Sequence, residues 1–186
     1  MEADWSVEVG PDLPRIVAPW EGFVDLRRDP RLASGFIEAA GCSMLAQSLI
    51  RLNQEDSPVF TSKCDHWLLS RDEIDPLEFD AERKNAERGI ACYIDIVARN
   101  QTFFTSFQDH EAWVRSTTSA IRQTKLAQAR VEWVIRAAEV DARGGFAITL
   151  YVASSGASQA AAETVFQPAL ETAVTITMKQ AAATGE

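Results

Sequence analysis

Histidine and cysteine are scarce in this chain. Its 186 residues hold two of the first (His66, His110) and three of the second (Cys42, Cys64, Cys92). An odd number of widely spaced thiols does not form a disulfide framework. No paired C-x₂-C spacing of a structural zinc site is present. Neither G-x-G-x-x-G nor G-K-[ST] occurs, which leaves dinucleotide and P-loop binding without support. No apolar run approaches the roughly 18 residues that a membrane span needs. The opening MEADWSVEVG lacks the basic and apolar regions of a signal peptide. Clusters of lysine and arginine are missing, and a net charge of −9 repels a phosphate backbone. The expectation is a cytoplasmic, bacterial-type protein that binds no nucleic acid, membrane or cofactor.

What is present is ordinary for a globular chain: 46% hydrophobic and 24% charged residues. The length suits one α+β domain over 1–186. Pro11, Pro14, Pro19 and Pro30 punctuate an extended segment, 1–33, with short β pieces expected at 5–9 and 22–26. Ser34 reads as an N-cap. Behind it Phe36, Ile37, Ala40, Met44, Leu45, Leu49 and Leu52 recur at helical spacing, predicting a helix over 35–53. Alternation and β-formers predict strands at 59–69, 90–98, 130–140 and 146–153, the last two joined by a turn at 141–145. The charged stretch 71–88 reads as a solvated insertion, with Asp80 capping a short helix that Gly89 closes. Further helices are predicted over 107–125 and 158–180, with Pro168 kinking or breaking the latter. Residues 181–186 read as a frayed tail.

The element order, roughly (β)-α-β-β-α-β-β-α, predicts a two-layer sandwich. An antiparallel sheet of four or more strands would carry helices on one face, with a possible pseudo-twofold repeat.

Period-two reading separates the two faces. Ile90, Cys92, Ile94, Ile96 and Ala98 join Val131, Trp133, Ile135, Ala137, Phe146, Ile148, Leu150 and Val152 on the core face. Phe60, Cys64 and Leu68 are read toward the same side, which sends Lys63, Asp65 and Trp67 to the other. There they meet Tyr93, Asp95, Val97, Arg99, Glu132, Val134, Arg136, Thr149 and Tyr151. Such a face is too apolar to be merely wet and too charged to be core. Trp67, Tyr93 and Tyr151 offer contact area, while Asp65, Asp95, Arg136 and Lys63 offer polar anchors. The leading expectation is a small-molecule groove on this face. A homodimer interface on the same face is the alternative, and an ordinary solvated sheet face is a third reading.

Other constellations each have a plainer explanation. Cys64 and His66 share one strand face and with Cys92 and Cys42 would make a Cys₃His site; buried thiols and a satisfied histidine explain them as well. A Cys64–His66 hydrolase centre would need an imidazole aimed at the thiol and a third orienting group. His110 is expected at the surface of a first helical turn. Asp65 and Asp95 could oppose one another as an acid–base pair, with Glu132 nearby; pairing with Lys63, Arg99 or Arg136 is the simpler role. Residues 153–158, ASSGAS, could bind an anion at a helix start or merely cap the helix. Trp20, in APWEGF, is read as a lid over a groove or as an anchor of a satellite core.

Overall fold

The computed structural model describes residues 1–184. Six strands form a mixed sheet: β1 (Glu2–Glu8), β2 (Ile16–Ala18), β3 (Val59–Leu69), β4 (Arg88–Ala98), β5 (Ala129–Val140) and β6 (Arg143–Gly156). The strand order is β1-β5-β6-β4-β3, with β2 also on β5. The β3–β4, β4–β6 and β5–β6 pairs are antiparallel. Both β1 and β2 run parallel to β5, so the all-antiparallel expectation is overturned. Local turn signals report hairpins. They do not report which distant strand receives a segment more than a hundred residues away in the chain. Among the described residues only β5 gains parallel partners, so the two halves are not equivalent.

Helices α1 (Ser43–Leu52), α3 (Phe107–Arg122) and α4 (Gln159–Thr184) cover one face of the sheet, while the five-residue α2 (Gln101–Thr105) sits at its end. Trp113 and Trp133 are fully buried between the helices and the sheet. Their indole N–H groups are satisfied at α4, by the Thr177 carbonyl at 2.9 Å and the Thr177 hydroxyl at 3.3 Å. Each buried side chain of this size stabilises the fold by roughly 1.5–3 kcal/mol. Among the described residues no helix is long and apolar enough to cross a membrane.

Several boundaries differ from expectation for local reasons. The predicted helix over 35–53 begins only at Ser43. Asp29 caps a separate 3₁₀ turn, Pro30–Gly35, by accepting from the Arg31 N–H, and Gly41 takes φ +83°. Ile37 is left 84% exposed, so its helical spacing was coincidental. The extended piece expected at 22–26 is a turn with Gly22 at φ +86°; the short strand lies at Ile16–Ala18 instead. Helix α4 runs through Pro168 without a break and continues through 181–184, while the remainder of the expected frayed tail, Gly185 and Glu186, lies outside the described residues.

The β5–β6 hairpin turns on two residues, Asp141 and Ala142, with φ of +48° and +62°. Strand β6 therefore starts at Arg143. Gly145 belongs to the strand, where a β-carbon would lie 2.4 Å from the Phe104 ring. Gly89 likewise sits within β4 and closes no helix; a β-carbon there would meet the Ser154 carbonyl oxygen at 2.6 Å.

Candidate functional site

The face of the sheet away from α1, α3 and α4 divides into layers across β3, β4, β6 and β5. At one end Phe60, Val97, Ala147 and Ala138 form a second apolar cluster, covered by Ile16, Ala18, Phe23 and Phe104. At the other end Leu69 and Ala153 are covered by Ile74, Phe79 and Ala86. These last three come from the charged stretch 71–88, which is thus no solvated insertion. It folds into three 3₁₀ turns, Arg71–Glu73, Pro76–Phe79 and Arg83–Asn85, instead of the predicted helix. Asx-type capping explains the change: Asp75 accepts from the Leu77 N–H at 3.0 Å, and Asp80 takes φ +48°.

Between the two covered ends lies an open middle. Asp65, Tyr93, Tyr151 and Glu132 are consecutive register partners across four strands. Trp67 lies diagonal to Tyr93. The ring centroids are 6.4 Å apart for Trp67–Tyr93 and 6.1 Å for Tyr93–Tyr151, within the range of tilted aromatic contacts. The three predicted aromatics therefore form one continuous row.

A buried polar layer adjoins this row. Asp95 is 7% exposed, and its Oδ1 accepts from the Thr149 hydroxyl at 2.6 Å. No donor among the described residues reaches its Oδ2. Burial pushes the Asp95 carboxyl up to about 6, against the opposing pull of the Thr149 hydrogen bond and the charges of Arg136 and Lys63. Burial, and then the negative charge of Asp95 and Asp65, raises the Tyr93 hydroxyl to about 12. Arg136 donates to the Tyr151 hydroxyl at 3.4 Å and is neutralised by Glu8 at 2.7 Å.

A bulge in β3 governs this arrangement. Thr61 pairs with Ile96 and Cys64 with Ile94, so Ser62 and Lys63 together oppose Asp95. One extra residue inverts the alternation. Phe60 therefore lies on the open-face side of the sheet, in the second cluster, and not on the helix side as predicted. Lys63, Asp65 and Trp67 do share the open face. Asp65 opposes Tyr93, so Asp65 and Asp95 do not form the facing acid–base pair weighed as one possibility. Glu132 instead bonds Arg130 at 3.2 Å, and Arg130 also engages Glu78.

The row separates two hollows. A cavity of about 380 Å³ lies beside Tyr93, between Asp65 and Lys63 of β3 and Trp20, Val24 and Phe36 of the N-terminal segment. The Lys63 ammonium rests 5.1 Å from the Trp20 ring centroid. Trp20 is thus a wall of this cavity, while Phe23 anchors the second cluster. A smaller cavity of about 190 Å³ lies on the other side of the row, against Trp67, Tyr151, Glu132 and Phe79. Of residues 16–38, only Trp20 was read as a possible cover of a groove; the contributions of Val24, Phe36 and Glu38 had no visible signal.

The thiol and imidazole candidates do not assemble. Cys64 and His66 lie on the helix side, and His66 Nδ1–H donates to the Glu38 carbonyl at 2.6 Å. Burial raises the Cys64 thiol to about 12 and pushes Cys92 up as well, the reverse of an activated nucleophile. Among the described residues no group of three or more His, Cys, Asp or Glu side chains is placed to hold a metal ion. Leu68, read as core, is 57% exposed, beside a hollow that it shares with Met44 of α1 and Phe166 of α4. His110 is fully buried against Phe103, Trp113 and Phe146, contrary to the surface expectation. At 153–158 the strand continues through Gly156, and the Ser158 hydroxyl accepts from the Ala161 N–H at 3.2 Å, acting as a helix cap.

The chain matches no family model, no curated protein and no solved structure. Its functional reading rests on this geometry.

Proposed function

We propose that the chain binds a small molecule in the open middle of its sheet, with Trp67, Tyr93 and Tyr151 as the contact surface. One observation carries this reading: an aromatic row left uncovered between two segments that cover both ends of the same face. A contiguous exposed aromatic patch rimmed by polar groups is a common mark of a binding surface. Here the row borders a 380 Å³ cavity, within the size range of ligand sites. Polar groups are few and placed: Asp65 at the cavity edge, buried Asp95 two residues along β4 from Tyr93, Arg136 held by Glu8 and Tyr151. The covered ends, Trp20 on one side and Phe79 on the other, leave a narrow opening, which favours a small ligand over a second copy of the chain, for which a broad surface is needed.

The test is a screen of small aromatic molecules by tryptophan fluorescence, followed by titration of any hit into variants. Trp67→Phe should remove most of the signal change, and Tyr151→Ala should weaken binding by roughly tenfold or more. Binding curves that neither substitution alters would refute the groove. Sedimentation as a dimer at micromolar concentration, abolished by Trp67→Glu, would support pairing through this face instead.

A further inference from the structure

Resting on that reading, we infer that the ligand of the groove is an organic cation: an ammonium or guanidinium group carried on an apolar or aromatic body. The argument is one of charge complementarity on a surface of rings. Of the cations bordering the row, Arg136 is neutralised by Glu8, and Arg130 by Glu78 and Glu132. The acids are in excess. Asp65 has no cation within 4 Å among the described residues; its Oδ1 accepts only the backbone N–H of His66, at 2.7 Å. Asp95 keeps one oxygen without a donor among the described residues. Glu38 borders the same cavity without an ion pair among the described residues.

Ring faces attract cations through their quadrupole, and more strongly once water is excluded. The protein already uses this attraction at the site. Lys63, the one cation of the larger cavity, lies over Trp20 and makes no ion pair among the described residues. A ligand ammonium placed between the Tyr93 and Trp67 rings and the Asp65 carboxylate would meet both attractions at once. Its apolar body would fill the cavity toward Val24 and Phe36. An anionic ligand would instead face Asp65 and Glu38, with Asp95 two residues along β4 from Tyr93 and, among the described lining residues, only Lys63 to offset them.

The probes are three phenyl compounds of similar shape: 2-phenylethylammonium, 2-phenylethanol and 3-phenylpropionate. Binding to the full chain at pH 7.5 is followed by NMR, reading the Trp67 indole N–H assigned with Trp67→Phe. The ammonium should bind roughly tenfold more tightly than the alcohol, and the propionate most weakly. Asp65→Asn, an exposed change, should narrow the ammonium–alcohol gap. Lys63→Ala, which removes the competing internal cation, should widen it. Equal affinity for ammonium and alcohol, or tightest binding of propionate weakened by Lys63→Ala, overturns the cation inference and leaves the groove standing, since Trp67 still responds. No response of Trp67 to any probe at millimolar concentration overturns both.

Discussion

Asp95→Asn should stabilise the protein at neutral pH. The carboxyl is 7% exposed and is raised from an ordinary 3.8 to about 6, chiefly by burial. A folded-state value above the unfolded one means that the native state holds its proton more tightly. Stability therefore falls as pH rises through the window from 3.8 to 6, and the full cost is present at pH 7. A shift of about two units corresponds to about 3 kcal/mol. Asparagine removes the charge and keeps an oxygen to accept the Thr149 hydroxyl. Loss of the favourable field of Arg136 and Lys63 is already contained in the net shift. Urea unfolding at pH 7 should show the variant about 2–3 kcal/mol more stable, and at pH 4 the gap should shrink to about 0.5 kcal/mol. A variant less stable than the parent by 1 kcal/mol or more at pH 7 would refute the reasoning. That result would mean the ionised carboxylate has native partners worth more than its desolvation.

Two further outcomes concern the frame of the site. Ala142→Gly should raise stability by roughly 0.5–1 kcal/mol, because alanine holds φ +62° in the two-residue turn where glycine is unstrained; thermal unfolding would read it. Asn53→Ala should cost about 3 kcal/mol by denaturant titration. Buried Asn53 donates to the Leu49 carbonyl and the Thr61 hydroxyl and accepts from the Thr61 N–H, so its loss orphans a strand amide beside the bulge.

Much of the sheet was legible because its strands are long and strongly patterned. Val131, Trp133 and Ile135 alternate against Ile148, Leu150 and Val152 as the two-residue period requires, and all are buried. The aromatic row was legible for the same reason: Tyr93 and Tyr151 fall on the open face whichever neighbour each strand has, and their pairing brings the rings together. Failures arose where local chemistry overrides the period. The β3 bulge reversed Phe60, and nothing in FTSKC announces an extra residue. The 35–53 pattern ignored the left-handed turn that Gly41 permits. Stretch 71–88 hid Ile74, Phe79 and Ala86 among charges, so a segment that covers one end of the site looked like solvated chain. The parallel pairings of β1 and β2 depend on the route of the whole intervening chain, and no local signal carries that information.

The β3 bulge has one more consequence, at the rim of the sheet. β3 is an outermost strand, and a straight outer strand with free amides and carbonyls is a template onto which another extended chain can add. This one bends at Ser62 and Lys63 and presents the charges of Lys63 and Asp65. It is also fastened sideways, by Ser62 to the Val17 carbonyl at 2.6 Å and by His66 to the Glu38 carbonyl at 2.6 Å. The bend that brings Lys63 opposite Asp95 also spoils the template, protecting this side of the molecule from growing by strand addition into fibres.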